Sequence, residues 1–389
     1  MPDLIWLLLP IAAYAGWYAA GHRNRKPASH YPETLLGPEY FKGLNHLLNE
    51  QPDKAIDVFI RMLEVTADTF ETHLALGALF RRRGEVNRAI RIHQNLVSRE
   101  SLSAEQRAEA LYELGQDYLR AGLLGRAENL FIELAASADY RQQVLPGLLD
   151  IYQQEKDWEK AINIAGQMKQ VDGQSVDAVC AQFHCEQAMA AFRNTDTGNV
   201  RACVQAALAR DASCARANII LGNLEHEAAD NEAALAAYER VVEQDSELLP
   251  EVLQSMVDCH RQAGTVSDLI AYLDTVILRY PGIAPVLIQT ECLATEKGNL
   301  VAAEFLLAQL EEQPSVYGLA RLIELGLAGC EGPDDAFLQV LRQLIDELLQ
   351  TSVAYSCSEC GFTGKALHWQ CPGCKHWSTI RSVHGVMGI

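Results

Sequence analysis

In this chain of 389 residues, 51 acidic side chains outnumber 32 basic ones, for a formal net charge of −19. A phosphate backbone would be repelled by that field, which tells against nucleic acid as a partner. Apolar residues make up 49%, enough for a core, so a disordered chain is excluded as well.

The chain opens MPDLIWLLLPIAAYAGWYAAGHRNRK, with an unbroken apolar run from Leu4 to Ala20. That length is at the short end of a membrane-spanning helix. A secretory signal would carry positive charge ahead of the run, but Asp3 stands there, and Arg23, Arg25 and Lys26 follow it. The spacing predicts an uncleaved anchor over 1–21, with the N-terminus outside and the body in the cytoplasm. Trp6, Trp17 and Tyr18 suit the two membrane interfaces. Ala12, Gly16 and Ala20 form a small-residue stripe that would admit a second membrane helix, and self-association is left open. A polar linker, 22–35, comes next.

From 36 to 350 the chain reads as helical, with a period of about 34 residues. Gly43 and Ala55 lie 12 apart, as do Gly77 and Ala89, Gly115 and Ala127, and Gly222 and Ala234. Aromatics recur three residues after the glycine, at Phe80 and Tyr118, and four after the alanine, at Phe59, Phe131 and Tyr238. Ala161 continues the series, a degenerate unit holds Ala202, and Leu269 and Ala303 are again 34 apart. This is the tetratricopeptide pattern, in which small residues mark close approach of paired antiparallel helices. About eight units are expected over 36–315, followed by a helical pair at 316–328 and 334–350. The Arg81-Arg82-Arg83 run reads as a solvated turn, with an acidic-peptide contact as the alternative.

No phosphate-binding loop, nucleophile elbow or metalloprotease helix occurs. His184 and Cys185 are adjacent, so on a helix they point about 100° apart and form no dyad. An enzyme is not expected. Cys180, Cys185, Cys203, Cys214, Cys259, Cys292 and Cys330 are irregularly spaced and read as reduced packing residues.

The remaining four cysteines form CSECGFTGKALHWQCPGC, with Cys357/Cys360 and Cys371/Cys374 as two C-x-x-C pairs. Four thiolates close a tetrahedral shell around zinc or iron and leave no open position, so the metal is structural. It would fold a tail, 351–389, too short to hold a core alone. Gly361 and Pro372-Gly373 suit the tight knuckle turns, and Phe362, Trp369 and Trp377 are expected around the knuckles and against the last helices.

An apolar anchor, a tetratricopeptide array and a tail CxxCG…WxCPxC together resemble the lipopolysaccharide assembly protein B family, the tail being similar to a rubredoxin-type knuckle pair. The resemblance implies an all-α tetratricopeptide superhelix with an N-terminal transmembrane helix and a rubredoxin-like module holding one structural metal ion. It favours iron and leaves zinc open. It also implies a single-pass inner-membrane adaptor that promotes degradation of the UDP-acyl-glucosamine deacetylase (LpxC) by a membrane AAA+ protease (FtsH). Lipopolysaccharide assembly proteins would be further partners. Two other readings stand beside it: a metal- or redox-sensing regulator acting through the four cysteines, and a transcriptional regulator using them as a ribbon.

Overall fold

The computed structural model describes residues 69–327 and 333–388, together with Lys42, Asn45, Lys54 and Val58. The expected anchor and linker, the first repeat with Gly43, Ala55 and Phe59, and Cys330 lie outside the described residues. Among the described residues, no helix is long and apolar enough to cross a membrane.

From Phe70 on, the described residues form sixteen α-helices in antiparallel pairs: α1 Phe70–Arg82, α2 Val86–Val97, α3 Ala104–Arg120, α4 Leu124–Ala135, α5 Ala138–Glu155, α6 Trp158–Ala165, α7 Val176–Arg193 and α8 Thr197–Arg210. The series continues with α9 Ala215–Glu227, α10 Asn231–Gln244, α11 Leu249–Ala263, α12 Val266–Ile277, α13 Ala284–Lys297, α14 Asn299–Glu312, α15 Val316–Leu327 and α16 Pro333–Thr351. The chain divides into two compact units, one ending at Leu130 and one running Phe131–Ile389.

Among the described residues, the first seven turns from first to second helix each carry a left-handed residue: Gly84, Gly122, Lys156, Thr195, Ala229, Gly264 and Gly298. The second helix then starts with the same hydrogen bond every time. Ala89, Ala127, Ala161, Val200, Ala234, Leu269 and Ala302 donate their N–H groups to the carbonyls of Glu85, Leu123, Asp157, Asp196, Asp230, Thr265 and Gly298. All seven residues are buried. This is the position of close approach, one turn into the second helix, and Asp157, Asp196 and Asp230 fix it with their side chains as N-caps.

Two expected members of the series are displaced. Val200, not Ala202, occupies the position in α8, and Ala202 is exposed. In α14 the buried residue is Ala302, not Ala303, because Gly298 serves as both the left-handed residue and the N-cap, which shortens that turn by one.

Partners of the glycines confirm the packing logic. A Cβ on Gly222 would stand 2.3 Å from the Tyr238 ring, and one on Gly77 would stand 2.3 Å from His93. Tyr238 and His93 each lie four residues after the close-approach alanine, so a flat ring covers the bare backbone. In the Arg81 run, Arg81 is withdrawn from solvent onto Glu113 and Asp117 at 2.6 and 2.7 Å, while Asp117 also takes the buried His93 Nδ1 at 2.6 Å. Arg82 and Arg83 remain exposed.

The tail departs from an all-α fold. Strands β1 Tyr355–Cys357, β2 Thr363–Gly364 and β3 Ile380–Ser382 form an antiparallel sheet in the order β2-β1-β3. Tyr355 pairs with both Gly364 and Ser382, and Cys357 with Ile380. A knuckle reverses the chain within a few residues, so the segments flanking it are left side by side as strands.

Candidate metal centre and its seat on the array

The two C-x-x-C segments repeat one another atom for atom at an offset of 14 residues. Cys357 N–H donates to the Phe362 carbonyl at 2.7 Å, and Cys371 N–H to that of His376 at 2.9 Å. Gly361 N–H donates back to Cys357 and Lys375 N–H back to Cys371, at 3.0 and 2.9 Å. Gly361 and Lys375 then take the same left-handed conformation, φ 73° and 65°. The glycine expected to ease the second turn, Gly373, has a different task. A Cβ there would stand 3.2 Å from Cys360 Sγ and 3.8 Å from Cys371 Sγ, so its bareness makes room for sulfur.

These knuckles bring all four sulfurs within 4.8 Å of one another. Cys357 and Cys374 are 3.8 Å apart, and Cys360 and Cys371 are 3.6 Å apart. A tetrahedron with metal–sulfur bonds of about 2.3 Å has edges of roughly 3.8 Å, so the residues fit a four-thiolate ion. Burial works against the Cys357 thiolate, but the Thr379 hydroxyl and the N–H groups of Cys360 and Glu359 outweigh it and hold the thiol at about 6. Cys374 is pushed up to about 12 by desolvation and by its three sulfur neighbours. Four thiolates this close cannot all ionise without a cation among them.

The module does not pack only against the last helices, as the sequence suggested. Trp377 is buried edge-on against Trp158 of α6 and Phe183 of α7, with ring centroids 6.3 and 5.7 Å away. The Arg216 guanidinium at the start of α9 lies 5.1 Å over the Trp369 ring. Only Phe362 stays with the knuckles, beside Cys357 and Cys371. The reason lies in polar groups that local sequence does not link. Gln174 donates to the Trp377 carbonyl and accepts from its N–H, and the Gln153 side chain accepts from Gln370 and from the Trp377 indole.

Further along, Arg381 pairs with Asp245, His384 with Glu247, and the Tyr355 hydroxyl donates to Glu251. Val316 N–H, at the start of α15, donates to Val386 at 2.8 Å. The module thus touches the first helix of four consecutive pairs, through Gln153, Phe183, Arg216 and Glu251. A cavity of about 210 Å³ remains in the seam, lined by Gln182, Cys214, Arg216, Trp369 and Arg381 among others.

A family model described as rubredoxin metal binding domain matches residues 355–382, and one described as tetratricopeptide repeat matches residues 185–248. Lipopolysaccharide assembly protein B of Escherichia coli (strain K12) is 35% identical over 390 residues, covering 100% of both chains. The protein of that name from Haemophilus influenzae is 32% identical over 98% of each. The chain belongs to the lipopolysaccharide assembly protein B family. Among solved structures, a tetratricopeptide repeat protein from Parabacteroides merdae is 12% identical, at a TM-score of 0.32 over 72% of this chain and 100% of that one.

In this member of the lipopolysaccharide assembly protein B family, the rubredoxin-type match begins at the first residue of β1 and ends at the last of β3. Its repeat array points to a scaffold. His184 turns to Gln187, away from Cys185, as the helical geometry required. A cysteine–histidine contact missed by sequence does form, between Cys259 Sγ and His226 Nδ1 at 3.2 Å. The two are 33 residues apart, about one repeat, and that spacing was the available signal. Cys259 is wholly buried and its thiol is pushed up by desolvation, the opposite of an activated nucleophile.

Proposed function

We propose that this protein is a membrane-anchored cytoplasmic adaptor in lipopolysaccharide biosynthesis. It presents the UDP-acyl-glucosamine deacetylase to a membrane AAA+ protease and so limits the supply of precursor. Support comes foremost from the end-to-end match to proteins named for lipopolysaccharide assembly. The Leu4–Ala20 run is the anchor in this reading, with the N-terminus periplasmic, and it holds the array beside membrane partners at high effective concentration.

Cys357, Cys360, Cys371 and Cys374 hold one structural ion, iron or zinc. Its role is to keep the module folded on the first helices of α5 to α11, so that array and module form one docking body. Lipopolysaccharide assembly proteins bind the same body.

The test is deletion of residues 1–20 in cells that carry this chain as their only copy. The deacetylase should then persist several times longer after synthesis is stopped, with the truncated protein still folded. An unchanged deacetylase half-life at native expression would overturn the reading.

A further inference from the structure

Cys185, in α7, and Cys214, the residue that caps the N-terminus of α9, place their sulfurs 3.8 Å apart. Both are buried, at 0% and 3% exposure. No other sulfur pair among the described residues comes so close outside the four-cysteine centre. The surroundings treat the two thiols differently. Gln182 Nε2 reaches Cys214 Sγ at 3.5 Å, and Arg216 follows two residues on. The Cys185 S–H, the Ala217 N–H and the Arg216 guanidinium all favour a Cys214 thiolate and together outweigh desolvation, so Cys214 lies below an ordinary thiol. Cys185, hydrogen-bonded to it and desolvated, lies well above. One sulfur is thus the nucleophile and the other holds the proton, the asymmetry of an attacking and a resolving cysteine.

Access comes from the seam. Cys214 lines the cavity beneath the module, and Ser213 and His368, which also line it, are exposed to solvent. A molecule as small as a peroxide can therefore reach a sulfur that is closed to bulkier reagents.

We propose that Cys214 and Cys185 are a peroxide-sensitive dithiol that closes to an intrachain disulfide between α7 and the start of α9. The Cys214 thiolate attacks one oxygen of hydrogen peroxide, the O–O bond breaks, and the hydroxide that leaves takes up, as water, the proton that Cys214 had released to solvent. Cys185 sulfur then attacks the resulting sulfenic acid. The S–S bond forms, the S–O bond breaks, and the departing hydroxide takes the Cys185 proton. In sum, two thiols and one peroxide give one disulfide and two waters. Closing the sulfurs to about 2.05 Å draws Cys214 away from Gln182. Gln182 also accepts from Arg216, the residue stacked on Trp369, so oxidation acts on the seat of the module.

This inference does not depend on the proposed function. It is tested on the folded, metal-loaded full chain treated with hydrogen peroxide, then unfolded, alkylated and digested for mass mapping. Cys180, Cys203, Cys259 and Cys292, all pushed up by desolvation, serve as internal controls. The expected result is a cross-linked Cys185–Cys214 peptide, two hydrogens lighter than the dithiol, formed before the controls lose thiol and reversed by reductant. A pair that alkylates as free thiols after the controls have oxidised would overturn the proposal. In Cys185→Ser, Cys214 should instead accumulate a sulfenic acid, trapped by dimedone present while the peroxide-treated chain is unfolded, and absence of that adduct would rule out Cys214 as the attacked sulfur.

Discussion

The side-chain amide of Gln174 meets the backbone of Trp377 at both ends, donating at 2.9 Å and accepting at 3.0 Å across 203 residues of sequence. It behaves as one rung of a β-ladder supplied by a side chain. Removing it would orphan an N–H and a C=O next to a buried indole. Gln174→Ala should loosen the module by about 2 kcal/mol, from two net hydrogen bonds. Amide exchange at Trp377 and Ser378 should accelerate roughly 30-fold, the factor corresponding to that energy. Gln174→Glu, which can only accept, should fall between. Unchanged exchange in Gln174→Ala would show that the aromatic cluster alone seats the module.

The repeat and the four ligand candidates were legible because both are local and periodic. A Gly–Ala spacing of 12 states where two helices touch, and a pair of knuckles states its own geometry. Where periodicity was extended by counting alone it slipped. Ala303 gave way to Ala302 because one turn is a residue shorter, and Ala202 gave way to Val200 because the N-cap Asp196, not residue identity, sets the register. The seat of the module was not legible at all. Gln153, Gln174, Phe183 and Arg216 carry no spacing relation to Trp369 or Trp377, and a tail attached to the last helix gives no sign that it folds back over the middle of the array. The Cys185–Cys214 contact was hidden likewise, by a separation of 29 residues that matches no repeat period.

Gly222 tests the close-approach logic directly. Tyr238 is fully buried over it, tied through its hydroxyl to Asn223 at 2.8 Å, so the ring has little freedom to retreat. A methyl at 222 would begin 2.3 Å from that ring. Gly222→Ala should destabilise by about 1–3 kcal/mol through overpacking. Gly125, inside α4, has nothing within 4 Å of a Cβ, so Gly125→Ala should be neutral or gain up to about 1 kcal/mol of helix propensity. Thermal unfolding of the two variants should therefore move in opposite directions, and a shared direction would refute the packing assignment.

The sulfur cluster predicts how metal affinity depends on pH. Cys357, held at about 6, is ionised at neutral pH, whereas Cys360 and Cys374 are raised and must surrender protons when an ion binds. Each proton released makes affinity tenfold weaker per pH unit of acidification, so these two thiols alone give about a hundredfold loss per unit. The sign is fixed, since lower pH returns protons to the ligands. Chelator competition at pH 7.5 and 6.5 measures it. Stripping the ion should also abolish exchange protection in β1 and β3 while leaving α11 and α12 protected.

Lys375 offers a way to stabilise the module without touching a sulfur. It occupies in the second knuckle the left-handed site that Gly361 occupies in the first, at φ 65° against 73°. A residue with a Cβ is strained there by about 1–2 kcal/mol. The Lys375 side chain is exposed, and its carbonyl, which accepts from Gln370, is retained in any substitution. Lys375→Gly should relieve that strain, offset in part by the extra freedom glycine has in the unfolded chain. The net gain should be a fraction of 1 kcal/mol up to about 1 kcal/mol, read as slower metal loss to a chelator. Gly361→Lys imposes the converse strain on the first knuckle and should speed that loss. If the two exchanges shift metal release in the same sense, the knuckles are not equivalent and the 14-residue symmetry has no energetic meaning.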